Sequence, residues 1–369
     1  NVEELKKFYL TGDNNNSNNN NDNNTYTYIE FFYYGDSQLV NDNPHVAQRL
    51  FYEKTYNIKY KDGDKVNRIM DMSGGKGMNY YKRKLEPKTV VHWGQRKLML
   101  SEIEFLTEKA PVKAGNVVVI YPGSACGDHI PYLSYLFPNI HFILYDPAPF
   151  AIKESDKIEI YNEFFTDEVS TKLKERFKKD HIILISDIRN NEILTATDEE
   201  SEEIIRKDHE MQMSWYHILK PKSAMFKLKL PWKEGETAYL DGDIYYQVWG
   251  PKTTTETRLW VGENAKTSKY NNKLYEKILF EFNIRNRAQI YKTVVSDTSI
   301  KDKTINKEGF CRCYDCAAEL LILQNYLIMK NGKTTDVDVF NLAWEMSNKM
   351  SNYHIFNYKK TLFNDRKND

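Results

Sequence analysis

The 369-residue chain lacks several features that mark particular protein classes. Four cysteines are too few for a disulfide-stapled secreted fold. Lys+Arg and Asp+Glu both number 52, and this zero net charge argues against a protein that coats nucleic acid by bulk charge, although it leaves a local basic groove open. The sequence has no run of about 18 apolar residues, which is the length that would predict a membrane span. The first residues also lack the apolar core of a signal peptide. We therefore expect a soluble protein of a reducing compartment.

The residues present indicate a globular protein with an unusual N-terminal third. Hydrophobic residues make up 41% of the chain, with 26 Tyr and 18 Phe, enough for a sizeable core. At ~150 residues per domain, the length allows one large domain or two ordinary ones. Nine asparagines in twelve positions at residues 13–24 predict a flexible insertion, and a prion-like assembly segment is the alternative.

From residue 92 onward, apolar strands alternate with helices. This alternation predicts a mostly parallel central sheet covered on both faces, a Rossmann-like α/β fold. Strands are predicted at residues 116–121, 141–146, 157–161, 181–187, 223–230, 244–249 and 257–261, and helices at residues 97–106, 129–137, 314–329 and 337–350.

The first of these strands ends in a glycine turn, residues 122–127 (PGSACG). Asp146 closes the second strand, roughly 20 residues beyond Gly123, where an acid can accept hydrogen bonds from a ribose diol. The turn lacks the GxGxxG spacing that binds a dinucleotide pyrophosphate. It therefore suits a ligand without phosphate, such as S-adenosylmethionine, and a purely structural turn remains the alternative.

Four charged residues lie where charges are otherwise rare. Lys97 is on the helix before the first strand, Asp187 closes the fourth strand, Lys227 lies inside the fifth, and Glu256 precedes the last. Each alone fits a solvated edge position. Together they resemble the Lys-Asp-Lys-Glu tetrad of RNA ribose 2′-O-methyltransferases.

Longer motifs support the same resemblance: residues 94–100 (GQRKLML), 121–130 (YPGSACGDHI), 182–189 (IILISDIR) and 262–264 (GEN). They are similar to the poxvirus-type cap-specific mRNA (nucleoside-2′-O)-methyltransferases, which also serve as the small, regulatory subunit of poly(A) polymerase. The resemblance runs from about residue 92 to about residue 353. It implies a viral protein that acts in the host cytoplasm, in a virus factory or virion.

The resemblance implies methyl transfer from S-adenosylmethionine to the ribose 2′-oxygen of the first transcribed nucleotide of capped mRNA. It places a Rossmann-like methyltransferase domain at residues 92–353, after an N-terminal extension (1–91) and before a flexible tail (354–369). The expected partners are capped mRNA and a viral poly(A) polymerase catalytic subunit. The alternative is a non-catalytic processivity subunit of that polymerase, and both roles can coexist.

The resemblance also suggests roles for the tetrad. Our hypothesis is that Lys227 contacts the 2′-oxygen, because a lysine can act as a base once burial and a neighbouring cation lower its pKa. Lys97 would help to lower that pKa, while Asp187 and Glu256 would orient the two amines. The family has an arginine two residues after the ribose-binding acid, where this chain has Ala148. By resemblance, the cofactor site comprises Gln95, Tyr121, Gly123, Gly127, Asp146, Phe164, Phe165 and Asp187.

For the cap, the family sandwiches 7-methylguanine between two aromatic rings. Methylation makes this base cationic, which strengthens its stacking on an electron-rich ring. The family has a second acid in the cap site, and this chain has Asn271 at that position. The expected cap and RNA contacts are Tyr80 or Tyr81, Lys229, Trp232, Glu234 and Arg258. A basic run beside the site, comprising Lys220, Lys222, Lys227, Lys229 and Lys233, is expected to contact phosphates or simply to line a strand edge.

The last candidate site is a cluster of three cysteines, Cys311, Cys313 and Cys316. Structural zinc needs four ligands, so we expect these three to be small apolar residues at a helix start.

Overall fold

A computed structural model describes residues 25–29, 55–59, 66–75, 77–81, 94–110, 116–188, 197–250, 254–288, 291, 294, 314–343, 345–346 and 349. The Asn-rich tract, Cys311, Cys313 and the predicted tail at residues 354–369 lie outside these ranges. The side chain of Gln95 is not described either.

A seven-stranded sheet forms the centre of the molecule, in the order β5-β4-β3-β6-β7-β10-β9. Strands β3 to β7 run parallel to one another, and β10 pairs antiparallel with both β7 and β9. The Rossmann-like prediction is therefore confirmed. The strands are β1 (Thr25–Ile29), β2 (Thr55–Lys59), β3 (Val117–Pro122), β4 (Ile140–Tyr145), β5 (Ile158–Tyr161), β6 (His181–Ser186), β7 (Ser223–Leu228), β8 (Glu236–Leu240), β9 (Asp243–Tyr245), β10 (Thr257–Gly262) and β11 (Thr267–Asn271).

The central strands are buried on both faces. Every residue of β3 is buried, as are five of the six residues of β6. A parallel sheet covered by helices on both sides requires continuous apolar runs instead of alternation, which is what residues 117–121 (VVVIY) and 182–185 (IILI) supply.

In the described part of the chain, several helices accompany the sheet, and some begin at side-chain caps. Thr197 and Glu200 form a reciprocal capping box at the start of α4, and the Asn271 side chain accepts from Leu274 N at the start of α5. The helices are α1 (Gly94–Lys109), α2 (Ile130–Leu136), α3 (Asp167–Arg176), α4 (Asp198–Leu219), α5 (Asn272–Ile284) and α6 (Tyr314–Asn331), and residues 336–343 are also helical.

The structure differs from the sequence prediction in several unpredicted elements and in the end of one strand. Helices α3, α4 and α5 and strands β8 and β11 were not predicted, and β8 pairs antiparallel with β11 outside the main sheet. Strand β9 ends at Tyr245, before the predicted limit of residue 249. The chain leaves the sheet there because Gln247 turns into the interior and Trp249 adopts a left-handed conformation with φ of 58°.

Residues before the predicted domain boundary at residue 92 also join the fold. Met70 N donates to Ile244 O over 2.7 Å and Tyr246 N donates to Arg68 O over 2.9 Å, so this segment extends the β9 edge. Arg68 forms an ion pair with Glu104 of α1 at 2.7 Å. The boundaries at residues 91/92 and 353/354 stay predictions.

The helices that the structure describes include none that is both long and apolar enough to cross a bilayer.

Candidate active site

The candidate site lies at the carboxyl edge of the parallel strands. Ligands bind at this edge in doubly wound folds, where the strand order reverses, and β3 lies between β4 and β6 at that point. Gly123, directly after β3, has φ of +79°, and a Cβ atom there would lie 2.5 Å from the backbone nitrogen of Ile188. Only glycine allows the turn to pass this close to the end of β6, which brings the predicted cofactor loop next to Asp187.

Asp146 fastens the other side of this loop. Its Oδ2 accepts from Ala125 N over 3.0 Å, and its Oδ1 accepts from Ala148 N over 2.9 Å. A carboxylate has about four lone-pair positions, so two backbone donors leave capacity for ribose hydroxyls. Ala148, which stands where the family has an arginine, contributes its backbone to the same arrangement.

The four predicted catalytic residues meet in one cluster. Lys227 Nζ lies 3.1 Å from Asp187 Oδ2 and donates to the Asp187 backbone oxygen over 2.7 Å. Lys97 Nζ lies 3.2 Å from Glu256 Oε1. Each lysine thus has a carboxylate partner from a different strand end, although the four residues are up to 159 positions apart in the chain.

Arg258 joins these two pairs into one network. Its Nη1 lies 2.7 Å from Asp187 Oδ1 and its Nη2 lies 3.5 Å from Glu256 Oε1. Arg258 is directly opposite Lys227 in the β7–β10 register, where like charges repel unless an acid separates them. Burial lowers the pKa of Arg258, but the carboxylates of Asp187 and Glu256 outweigh it and raise that pKa above the usual range.

The RNA contact predicted for Arg258 is therefore corrected. Only 3% of its side chain is exposed, so the guanidinium cannot reach a phosphate at the surface and faces the two carboxylates instead. With Arg258 included, the cluster contains three cations and two carboxylates.

Tyr121 also differs from its predicted role as a cofactor contact. Its side chain is fully buried, and its hydroxyl donates to Glu102 Oε1 over 2.6 Å. His129 Nε2 lies 2.8 Å from the other oxygen of Glu102, so this carboxylate ties α1 to the cofactor loop. Burial raises the pKa of Tyr121, and Glu102 raises it further. Only the backbone of Tyr121 remains available to a ligand.

The two rings that were predicted to flank the adenine lie in different environments. Phe164 is 74% exposed, whereas Phe165 is buried edge-on against Tyr145 and Trp215. Phe165 is already packed on both partners, so the two rings do not face each other across an open slot. Gly127, at φ of +77°, is buried against Phe150 and Ile152.

Trp232 and Tyr80 line one aromatic pocket beside the charged cluster. Tyr80 and Tyr81 both contact Phe280 edge-on, with centroid distances of 5.1 and 5.3 Å, and both remain nearly half exposed. Thr254 and Thr255, directly before Glu256, connect the pocket to the cluster. The pocket is lined by Tyr80, Leu230, Pro231, Trp232, Thr254, Thr255, Asn272, Tyr275, Glu276, Leu279, Phe280 and Asn283.

The acidic residue in this pocket is Glu276, which no motif indicated. The predicted acid Glu234 is exposed and does not line the pocket, and Asn271 is occupied as the cap of α5. Helix α5 forms one wall of the aromatic pocket, and the sequence analysis did not predict this helix. Its apolar residues Tyr275 and Leu279 recur at the i, i+4 spacing of a helix face, which is the signal that could have revealed it.

Lysines of the predicted basic run contact acids and an aromatic ring. Lys222 pairs with Glu263 at 2.7 Å, and Lys233 pairs with Glu202 at 3.4 Å. Lys229 Nζ lies over the Trp232 ring, 5.8 Å from its centroid. The run is therefore partly neutralised, and the Trp232 ring already has a cation over its face, the arrangement that an electron-rich ring favours. Cys316 is buried on α6.

Comparisons with known proteins converge on one family. Residues 68–334 match the family model described as poly A polymerase regulatory subunit. A fowlpox virus protein named cap-specific mRNA (nucleoside-2′-O-)-methyltransferase is 28% identical over 53% of this chain and 68% of its own length. A myxoma virus (strain Lausanne) protein of the same name is 25% identical over 60% of this chain and 75% of its own length.

Among solved structures, a similarity is found to bluetongue virus VP4, described as a multifunctional RNA-capping production line. The two superpose with a TM-score of 0.40 and 14% sequence identity, over 66% of this chain and 37% of VP4.

Proposed function

The chain belongs to the poly(A) polymerase regulatory subunit family, and from this premise we propose that it is a cap-specific mRNA 2′-O-methyltransferase. It transfers a methyl group from S-adenosylmethionine to the ribose 2′-oxygen of the first transcribed nucleotide of 7-methylguanosine-capped mRNA. The fowlpox and myxoma virus relatives are named cap-specific mRNA (nucleoside-2′-O-)-methyltransferases. The proposed catalytic domain spans residues 92–353, with residues 66–75 and 77–81 adding to its surface.

The observation that carries the proposal is the cluster of Lys97, Asp187, Lys227, Glu256 and Arg258. Charged groups held by one another at the carboxyl edge of a parallel sheet are preorganised before a substrate arrives. A ribose hydroxyl is a poor nucleophile, so the protein must orient it and take its proton. Two amines in one network, each held by a carboxylate, suit this task.

In the proposed mechanism, Lys227 contacts the 2′-oxygen as a neutral amine and receives its proton. The position of its Nζ is set by the carboxylate and the backbone oxygen of Asp187. Arg258 contacts both Asp187 and Glu256 from the buried side, and Glu256 orients Lys97 toward the same space. Once Lys227 holds the proton, the cluster contains three cations and two carboxylates, and this surplus of one positive charge favours the developing oxyanion over the neutral hydroxyl.

The cofactor loop fits S-adenosylmethionine. When bound, this cofactor supplies an activated methyl group on a sulfonium. Asp146 retains acceptor capacity for ribose hydroxyls, and the exposed ring of Phe164 offers a face for adenine. The loop needs no phosphate-binding glycines for this ligand. The residues that would hold it are Gln95, Gly123, Gly127, Asp146, Phe164 and the backbone of Tyr121.

The aromatic pocket suits the cap base. The Lys229 ammonium lies over the Trp232 ring, and a cationic 7-methylguanine is attracted to an electron-rich ring face for the same reason. Tyr80 supplies a second ring, and Glu276 is an acceptor for the donor groups of the guanine edge. The shared segment at residues 254–256 links base recognition to the tetrad.

The direct test is methyl transfer from isotope-labelled S-adenosylmethionine to a short capped RNA, with the modified atom mapped by nuclease digestion and mass spectrometry. We expect label on the 2′-oxygen of the first nucleotide and little label on uncapped RNA of the same sequence. Label on a base nitrogen, or equal labelling of uncapped RNA, would contradict the proposal.

A second role is favoured by the family itself, whose model describes a regulatory subunit of poly(A) polymerase. In this role the chain binds RNA beside a viral polymerase catalytic subunit and increases its processivity. The two roles can coexist, and a variant without transfer activity that still lengthens poly(A) tails would separate them. The expected location in the host cytoplasm stays a prediction.

A further inference from the structure

Gln247, which no sequence motif indicates, directs its amide at Glu256. Its Nε2 donates to Glu256 Oε1 over 2.9 Å and to the Glu256 backbone oxygen over 3.0 Å. Both facing atoms are acceptors, so the amide must present its nitrogen to them. Lys97 Nζ contacts the same Oε1. One carboxylate oxygen is thus shared between the amide of Gln247 and the amine of Lys97.

The backbone around Gln247 is held independently of Glu256. Arg287 Nη2 donates to Gln247 O over 2.7 Å, and Arg287 Nε donates to Asn283 Oδ1 over 2.8 Å. The same guanidinium pairs with Asp315 of α6, which accepts from Trp249 N over 2.8 Å. The segment that carries Gln247 is therefore fixed from α5, from the turn after it and from α6.

This buried network returns to the helix that carries Lys97. The Trp249 indole nitrogen donates to Glu319 Oε2 over 2.6 Å, and Glu319 forms a fully buried ion pair with Arg96. Arg96 directly precedes Lys97. Both members of the Lys97–Glu256 pair are consequently anchored to the same polar network, one through Arg96 and the other through Gln247.

We propose that Gln247 is a positioning residue for methyl transfer: it holds the carboxylate of Glu256 in the rotamer that orients Lys97. This inference rests on the proposed function. Gln247 is 1% exposed, and its amide oxygen finds no hydrogen-bond partner in the described part of the chain. A buried unpaired oxygen is unfavourable, and such a local cost is expected at a functional site. Here both amide donors face Glu256.

The first test compares Gln247→Leu with Gln212→Leu. Gln212 is equally buried and makes two side-chain hydrogen bonds, to Ser186 and from Tyr239, so its variant controls for the loss of a buried amide. We expect Gln247→Leu to lower the single-turnover transfer rate about 10- to 100-fold, the effect of losing a hydrogen bond to a charged group. Affinities for cofactor and capped RNA should remain within about twofold, as should the rate of Gln212→Leu.

Gln247→Glu provides a signature that a merely structural residue would not produce. A protonated glutamic acid can donate to Glu256, whereas its ionised form repels that carboxylate, and the neighbouring charge raises its pKa. The rate of Gln247→Glu relative to the unaltered protein should therefore rise as pH falls. The relative rate of Gln247→Leu should be the same at every pH. If the relative rates of Gln247→Glu and Gln247→Leu are both independent of pH, the inference is overturned.

A second readout does not depend on transfer activity. Brief acetylation followed by mass spectrometry measures how strongly each lysine amine is held. We expect Lys97 to be acetylated several-fold faster in Gln247→Leu and at an unchanged rate in Gln212→Leu. If the unaltered protein methylates no capped RNA but this shift occurs, the proposed function fails and the hold of Gln247 on Glu256 stands. If Lys97 is acetylated at an unchanged rate in folded Gln247→Leu, Gln247 does not hold Glu256 in place.

Discussion

The charged cluster and the aromatic pocket are neighbours that are built in opposite ways. In the cluster, every charge is held by another, and Arg258 is almost completely enclosed between Asp187 and Glu256. In the pocket, Tyr80 lies edge-on to Phe280 and remains half exposed. Groups that act on reacting atoms need fixed positions, whereas a ring that stacks on a base needs an open face.

This difference determines how each region responds to substitution. Removing a member of the cluster leaves a buried partner without its counter-charge, so it changes the transfer rate or the stability of the fold. Removing a ring from the pocket deletes only a surface for stacking, so it changes affinity. Four substitutions, ordered by expected effect, test this contrast.

Replacing Lys227 with Met should have the largest effect. Loss of the group that receives the proton lowers the single-turnover transfer rate by about 10²- to 10⁴-fold, while the cofactor affinity measured by calorimetry is unchanged. Lys229→Met, two residues along, is the matched control, and it should weaken RNA binding without lowering the rate. A Lys227→Met protein that still transfers methyl would remove Lys227 from the mechanism.

Replacing Arg258 with Met should destabilise the fold. It leaves the carboxylates of Asp187 and Glu256 without the buried cation between them, at a cost of about 3–5 kcal/mol in the free energy of unfolding. Arg176→Met removes a more exposed ion pair with Glu159, for which we expect no more than about 1 kcal/mol. Denaturant titration measures both. Similar losses for the two variants would show that the cluster behaves like an ordinary surface pair.

Replacing Trp232 with Ala should reduce cap discrimination. The cation–π contribution of a ring face corresponds to roughly tenfold in affinity, so the preference for methylated over unmethylated cap dinucleotide should fall by about that factor. Tyr80→Ala should act in the same direction. Tyr135→Ala, an exposed tyrosine of α2, serves as the control, and an unaltered preference in Trp232→Ala would place cap binding elsewhere.

Replacing Glu276 with Gln should give the smallest effect. The amide keeps the shape but loses a charged acceptor for the guanine edge, so cap affinity should fall by only about threefold to tenfold. Glu234→Gln should leave the affinity unchanged, because Glu234 does not line the pocket. If Glu234→Gln lowers the cap affinity and Glu276→Gln does not, the cap acid is Glu234, as the sequence predicted, and not Glu276.

Sequence reasoning succeeded where a residue was conspicuous against its surroundings. Lys227 interrupts an apolar strand, and Asp187 and Glu256 flank such strands. Their resemblance to the tetrad of RNA ribose 2′-O-methyltransferases predicted that they belong together, and they lie in one cluster with Lys97 and Arg258. Arg258 was also noted, but its register opposite Lys227 and its burial depend on strand pairing, and its predicted RNA contact was wrong for that reason.

Gln247 and Glu276 carry no such signal. Glu276 is one of four charged residues in an amphipathic helix, and Gln247 is a lone amide after a strand. Their importance arises from position alone: α5 lies against the segment after β7, and the chain beyond β9 turns back toward Glu256.

The sequence by itself determined the mostly parallel sheet, the glycine turn and the four charged residues at its edge, because strand periodicity, glycine conformation and a charge in an apolar run are local properties. Only the tertiary structure decided which groups hold those charges and which helix closes the aromatic pocket. Hydrogen bonds and ion pairs between residues far apart in the chain depend on distances that no local pattern encodes.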